Sequence, residues 1–386
     1  MRLRTLCLSL AVVICACASA DGGYFPTFEG VAETADQRAV IIDHGDAETI
    51  VLQTGYEGDA SGFAWVIPVP TQIAGASAVG TADPSVFSSL SDLTAPRYFT
   101  GFEGSTGVCG CSGGSGDAGA PSRGGVTVWD RFDVDGYNVA VLSATESGDL
   151  AGWLRDNGYA FPEAGDETLA YYVDKQWFFV AFRIAPSGGG GGGEEFRPIT
   201  LTFATDELVF PMCISRVSTT GRAEVLLYVL SEHRVKASNY PTRTIQAGRA
   251  WDGGDFDAVY DGWFEGTIAD AGGTALVVEF AGDFPLWWAG VRPFDTLTRQ
   301  GEEYFVTRLR TRLTPAQMDE DIMLTAAAND DPLEVVVGSE LAATRGRAAF
   351  AALLLASVQG LALRRWRLGR RFAATTALLG ILLVLL

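Results

Sequence analysis

The chain has 386 residues, 48% of them hydrophobic, and a formal charge of −19 at neutral pH. That length supports two domains or one large one, and that apolar content supports a sizeable buried core. The acidic balance excludes the basic patches that nucleic acid demands, and the presence of only two histidines excludes a histidine-rich metal centre.

In chain order, the first element is a leader. Met1-Arg2-Leu3-Arg4 is a short basic start, Thr5 to Ala16 is an apolar run, and Ala18-Ser19-Ala20 is a small-x-small cleavage motif. Residues 1–20 therefore read as a signal peptide cut between Ala20 and Asp21. The apolar run is too short to span a bilayer comfortably as an uncleaved anchor. Lipoprotein processing at Cys17 is an alternative.

Residues 21–100 read as the first part of a β-rich body. Arg38 to Asp43 and Glu48 to Tyr56 are strands around the turn His44-Gly45-Asp46-Ala47, and Phe63 to Ile67 is a third. The spacing predicts an antiparallel meander, ended at Pro68-Val69-Pro70 because proline has no N–H for a ladder. Asp83-Pro84 opens a short helix through Leu93. Residues 101–125 form a glycine-rich linker carrying Cys109-Gly110-Cys111, and residues 187–198 a second linker with six consecutive glycines. Between them, 126–186 reads as a small α+β insertion. Its strands are Val126 to Phe132, Tyr137 to Ala144 and Trp177 to Ile184, and its helices Ser147 to Asn157 and Asp166 to Gln176.

Residues 199–340 resume the body. Strands are expected at Ile199 to Ala204, Glu207 to Cys213, Ala223 to Leu230, Ala275 to Ala281, Tyr304 to Leu313 and Leu333 to Val337. In the Tyr304 strand a period of two puts Arg308, Arg310 and Arg312 on one face and Phe305, Leu309 and Leu313 on the other. That pattern predicts a sheet with one wet face.

Residues 347–386 are a membrane tail. Two apolar segments, Ala348 to Leu363 and Ala373 to Leu386, flank Arg364, Arg365, Arg367, Arg370 and Arg371. Arginine is retained on the cytoplasmic side, so the arginine turn faces the cytoplasm and the body lies outside. The tail is one transmembrane helix or a helical hairpin. The leader carries two arginines and the stretch from Arg347 six, with no acid in either, which leaves residues 21–346 at −27.

Three blocks together resemble a known family. They are Arg38-Ala39-Val40-Ile41-Ile42-Asp43 with Gly62 to Pro70, then Glu224 to Leu230 with His233-Arg234-Val235, then Tyr304 to Met318. In this order, over about residues 22–337, they resemble the bacterial domain-of-unknown-function family 2330. The resemblance implies an exported, membrane-associated bacterial protein with a cysteine-containing, glycine-rich loop, and implies no activity. Family members often begin the mature domain with Cys-Gly-Gly, where this chain has Asp21-Gly22-Gly23.

The reactive-looking groups are few. Cys109 and Cys111 suit a strained disulfide or two soft metal ligands, with Cys213, His44 and His233 the only further soft or imidazole donors. Structural pairing, with each other or with Cys213, is the expected state. His233 suits a general base, but a surface histidine ending a strand is expected. Asp252, Asp255, Asp257 and Asp261 lie among glycines, but their spacing is not that of an EF-hand, so a solvated acidic loop is expected. Trp251, Trp263, Trp287 and Trp288 with Phe256 and Phe264 suit a carbohydrate or peptide groove, but buried aromatic core is expected.

The sequence thus predicts a mainly β, antiparallel, sandwich-like protein with an α+β insertion and a transmembrane tail. Its expected role is non-enzymatic, with no cofactor: an envelope protein anchored in the lipid bilayer that binds a partner or polymer outside the cytoplasm. A thiol-redox or metal-binding role for Cys109 and Cys111 is the alternative.

Overall fold

A computed structural model describes residues 23–24, 37–53, 64–99, 125–157, 165–184, 197–219, 221–245 and 255–338. The expected leader with Ala20 and Asp21, Cys17, Cys109 and Cys111, the six-glycine run, and the tail with its five-arginine turn lie outside the described residues. Among the described residues no helix is long and apolar enough to cross a membrane.

The described residues are mainly β, with four α-helices. In order come β1 (Gly23–Tyr24), β2 (Gln37–Asp43), β3 (Ala47–Leu52), β4 (Ala64–Val69), β5 (Val79–Thr81), α1 (Ser85–Thr94) and β6 (Arg97–Phe99). Next are β7 (Val126–Val134), β8 (Tyr137–Ala144), α2 (Ser147–Asp156), α3 (Asp166–Asp174) and β9 (Phe178–Ile184). Then follow β10 (Ile199–Ala204), β11 (Leu208–Phe210), β12 (Ala223–Ser231), β13 (Val235–Ala237), β14 (Thr242–Thr244) and α4 (Phe256–Asp270). The last are β15 (Leu276–Asp283), β16 (Phe305–Leu313), β17 (Ile322–Ala326), β18 (Leu333–Glu334) and β19 (Val336–Gly338).

Two compact units divide the chain. The larger comprises Met1–Arg97, Thr106–Ala247 and Asp257–Val335; the other comprises Tyr98–Ser105, Gly248–Phe256 and Val336–Leu386. The described part of the second is small and holds the two-stranded pairing of β6 with β19.

In the larger unit a five-stranded sheet runs β1-β4-β9-β8-β7. A nine-stranded sheet runs β14-β15-β16-β12-β2-β3-β10-β5, with β18 beside β15, and a three-stranded sheet runs β11-β17-β13. The large sheet is mixed: β12 runs parallel to β2, and β14 parallel to β15. The expectation of purely antiparallel pairing fails there, because β2 and β12 are joined by a long crossover that contains the whole of β7–β9. The β2–β3 hairpin forms as read. The His44 N–H donates to the Ala47 carbonyl at 2.9 Å, and Gly45 takes φ +88°, where a side chain would be strained.

The predicted meander stops at this hairpin. β4 pairs instead with β9 and β1, and it continues through Pro68 opposite Phe179. Among the described residues β1 pairs with Trp65 and Val66, at the edge of this sheet, and an edge strand is where proline is tolerated. The segment 126–186 supplies β7–β9, α2 and α3 much as expected. Its strands share a sheet with β1 and β4 from the first part of the body.

Strand alternation sorts the core. Trp65, Ile67, Val139, Val180 and Phe182 of the five-stranded sheet share one cluster with Ile41, Ile50, Leu201, Val229 and Leu309 of the large sheet. The alternate residues Val66, Leu142 and Phe179 pack under α2 and α3 against Leu150, Leu154, Leu169 and Tyr172. On the other side of the large sheet, Val40, Ile42, Leu226 and Tyr228 pack under Val86, Phe87 and Leu90 of α1. Each sheet is thus apolar on both faces over its centre, which the near-continuous apolar runs of β2 and β12 require.

The arginine face of β16 is real but not wet. α4 crosses it. Arg308 Nε meets Glu279 at 2.7 Å; Arg310 meets Glu224 at 2.5 Å; Arg312 meets Glu265 at 2.6 Å and Asp261 at 3.0 Å. The Tyr260 hydroxyl donates to Glu279 at 2.7 Å, and the Arg310 guanidinium lies 4.1 Å from the centre of the Phe264 ring. The expected acidic loop is corrected by the same element. Asp257 and Asp261 lie on α4, and Asp261 is an ion-pair partner rather than a solvated carboxylate. Tyr260, Phe264 and Ile268 recur every four residues and are buried, and that stripe holds the helix in place despite Gly262 and Gly266.

Candidate functional site

Turns at the ends of several strands enclose a cleft of about 240 Å³. The β2–β3 turn brings Asp43 and Gly45, the β10–β11 turn brings Asp206 and Glu207, and the β12–β13 turn brings Ser231, Glu232 and His233. Its apolar floor is Leu208, Val235 and Leu324, so the three-stranded sheet closes it from below. Among the described residues four carboxylates line the cleft, and no lysine or arginine does. Among the described residues no group of three or more His, Cys, Asp or Glu side chains is placed to hold a metal ion. The carboxylates are dispersed around the rim rather than converged on one point.

The His233 ring is hydrogen-bonded to a carboxylate. Its Nδ1 lies 2.9 Å from Asp330 Oδ2, while Asp330 Oδ1 accepts the Arg234 N–H at 2.9 Å. That hydrogen bond, and then the charge of Asp330, raise the His233 pKa above its ordinary value; the same contact lowers that of Asp330. Nε2 stands 3.9 Å from Glu232 Oε1, and the side chain is 56% exposed. The dyad therefore holds a cationic imidazolium readily. A triad would need a serine, threonine or cysteine hydrogen-bonded to the ring, and among the described residues the ring's hydrogen bond is to Asp330. The neighbouring Ser231 hydroxyl is spent on the His233 carbonyl at 2.5 Å. His233 is the exposed histidine after a strand that the sequence suggested, with a partner that it did not.

Glu48 is fully buried beside the β10–β11 turn. Its Oε2 accepts the Val209 N–H at 2.8 Å, and burial pushes its pKa well up. Its hydrogen bond ties the turn that carries Asp206 and Glu207 to β3.

A second polar cluster lies under α3. The Tyr172 hydroxyl donates to Asp321 Oδ1 at 2.6 Å and accepts the Ile214 N–H at 3.0 Å; the Cys213 N–H also donates to Asp321 Oδ1, at 3.0 Å. Lys175 stands 3.9 Å from Asp321 Oδ2. Burial raises the Asp321 pKa to about 6. Cys213 is a free, buried thiol whose pKa is pushed up to about 12, by burial first and then by Asp321. A thiol held protonated in this way is a poor nucleophile and a poor metal ligand. The cluster fastens α3 to the segment around Cys213.

The aromatic candidates separate. Phe264 is core beneath the β16 arginines. Trp287 is 75% exposed, contrary to the expectation of buried core, while Trp288 beside it is half-buried and stacks on Phe294 with ring centres 5.4 Å apart. Trp251 lies outside the described residues. His44 does not join His233; its Nε2 is 2.9 Å from Thr49 Oγ1.

Set against known proteins, residues 14–325 match the family model described as an uncharacterised protein conserved in bacteria, DUF2330. The chain belongs to this family. The three sequence blocks that suggested it lie on β2 and β4, on β12 and β13, and on β16 with the turn after it. The matched span begins before the first block and ends on β17. No curated protein and no solved structure matches this DUF2330 chain.

The sequence missed the cleft because its residues come from three turns and the strand β17, far apart in the chain. One signal was available: Asp43 ends a strand, and Asp206 with Glu207, and Glu232 with His233, sit just past the end of one, where loops gather at one end of a sheet.

Proposed function

We propose that this DUF2330 protein is a non-enzymatic envelope protein, held in the cytoplasmic membrane by its C-terminal tail. Its body, on the extracytoplasmic side, binds a cationic segment of a partner in the carboxylate-lined cleft. In this reading the body is a sandwich of the two larger sheets, and residues 126–186 are an α+β addition to it. The observation that carries the reading is the lining: Asp43, Asp206, Glu207 and Glu232 around an apolar floor, with His233 as the one basic side chain among the described lining residues. Dispersed carboxylates suit a ligand with several separated positive charges, such as a lysine-rich peptide, better than one metal ion. The topology rests on the five arginines between two apolar segments, which resist transfer across hydrocarbon.

Two measurements test this. Detergent-solubilised full-length protein is titrated with tetralysine and, as a control, tetraglutamate. Tetralysine should bind in a salt-sensitive way, and the D206N/E207Q/E232Q variant should bind about tenfold more weakly, on the scale of 1.4 kcal/mol. Equal affinity in variant and parent removes the cleft from the reading. For topology, protease added to spheroplasts should digest the body; a body that survives while an external control is cut removes the envelope location.

A further inference from the structure

Three of the five large hydrophobic side chains exposed among the described residues fall within six positions: Leu286, Trp287 and Val291, at 53%, 75% and 39% exposure. The loop that carries them is firmly built. The Phe284 N–H donates to the Tyr304 carbonyl at 2.8 Å, the Phe294 N–H to Val291 at 2.7 Å, and the Gly290 N–H to Thr298 Oγ1 at 3.0 Å. Phe284 and Trp288 flank the Phe294 ring at 5.0 and 5.4 Å, and Trp287 meets the Trp288 ring at 5.4 Å with planes 82° apart. Gly290 has φ +71°, and a Cβ there would lie 2.6 Å from the Gln300 backbone nitrogen, so the loop packs on its own return limb. A rigid platform that holds a leucine and a tryptophan out in solvent is the pattern of a surface meant to be covered.

We infer that this loop dips Leu286, Trp287 and Val291 into the interfacial zone of the lipid bilayer that holds the tail. The inference rests on the anchored-tail reading and adds a second membrane contact to it.

Two observations favour lipid. The first is reach. Leu333 of β18 sits opposite Ala281 of β15, and β15 leads directly into the loop. Val335 is two residues past Leu333 and Trp287 six past Ala281, so they lie at most about 30 Å apart. β18 runs antiparallel to β15, and the chain departs away from the loop. Even so, the thirteen residues from Val335 to Ala348, the start of the first apolar segment, span up to about 45 Å. A tether of that reach lets the loop and the anchor meet one bilayer together. The second is composition. Residues 284–301 carry Arg292 and Arg299 against Asp295, but Arg299 is paired with Glu302 at 3.2 Å, and Asp283 and Glu303 flank the loop. The loop is thus nearly neutral on a strongly acidic body and is repelled by phosphate headgroups less than the rest of that body. Tryptophan beside the headgroups is the side chain that this zone favours.

The test uses the full chain in phosphatidylcholine vesicles, with and without brominated lipid, comparing the parent with W287F. The difference in emission isolates Trp287 from the other tryptophans, including Trp366 in the tail. It should be quenched by brominated lipid about twofold or more, and it should resist acrylamide. Because Trp287 is exposed, W287F should keep the parent's circular dichroism and melting temperature, and that check accompanies the comparison. Flotation of the protein with the vesicles is scored separately. A chain that does not float defeats the anchored-tail reading itself. A chain that floats while the Trp287 signal is untouched by brominated lipid and open to acrylamide overturns the inference alone, and assigns the loop to a protein partner.

Discussion

The carboxylates beneath α4 and those around the cleft are the same chemical groups in opposite circumstances. Under α4, Glu224, Asp261, Glu265 and Glu279 face Arg222, Arg308, Arg310 and Arg312, four charges against four. Glu279 is wholly buried there. In the cleft, among the described residues, four carboxylates share a rim with one imidazole and no guanidinium or ammonium group. Burial explains the difference. A carboxylate removed from water is costly unless a cation and hydrogen bonds replace its hydration, whereas one left in water needs no partner. The matched charges serve the fold, and those of the cleft stay in water.

That contrast can be broken most sharply at Glu279. Glu279→Ala leaves Arg308 and Arg310 without a shared acid and the Tyr260 hydroxyl without its acceptor. A loss of about 3–5 kcal/mol is expected, read by urea denaturation with tryptophan emission. A loss below about 1 kcal/mol would show that the lattice under α4 is ornamental for the fold. Glu279→Gln, which keeps one oxygen to accept from Arg308 Nε and can turn its amide N–H toward the Tyr260 hydroxyl oxygen, should cost less.

Asp321 falls between the two regions, buried but with only Lys175 near it as a cation. Its folded pKa of about 6 stands above the ordinary 3.8. The folded state therefore holds the proton more tightly than the unfolded chain, and stability should fall as pH rises from about 4 through 6. The difference is worth about 3 kcal/mol. Asp321→Asn keeps an acceptor for Tyr172 and Cys213 and should flatten that fall. A variant with the parent's pH profile would assign the slope to other groups.

In the cleft, D206N/E207Q/E232Q should leave stability within about 1 kcal/mol of the parent, because Asp206, Glu207 and Glu232 are exposed. A large destabilisation would mean that these carboxylates hold the turns together and would erase the contrast. The smallest effect is expected at the dyad. Asp330→Asn should lower the His233 pKa toward its ordinary value, seen by NMR titration of the ring. Any stability from this pair is present below the ordinary histidine pKa and fades as pH rises through the raised one. A titration unchanged by Asp330→Asn would break the assignment of the shift to that contact.

Local pattern was legible, and distant partnership was not. The β2–β3 hairpin, the alternation along β16, and the helices over 147–156 and 166–174 all follow from residue spacing within a few turns of chain. α4 was hidden by its own composition, since glycines and aspartates outvoted the four-residue recurrence of Tyr260, Phe264 and Ile268. The arginine face was read correctly as a face and incorrectly as wet, because nothing local says that a helix nearly fifty residues upstream will lie across it. His233 was visible, but Asp330, 97 residues away, was not. The same holds for Tyr172 and Asp321, which meet across 149 residues.

The parallel register of β2 with β12 carries a consequence for how the chain is made. Residues 37–42 at the middle of the large sheet pair with β3 nearby, but find their second neighbour only at residues 225–230. A nascent chain shorter than that has a central strand with one side vacant, and closing so large a loop is entropically slow. More than half of this polypeptide must therefore leave the ribosome before its main sheet can assemble. Truncations ending before residue 223 should yield protease-sensitive, aggregating products rather than a smaller stable fold, and folding of the whole should wait on synthesis instead of accompanying it.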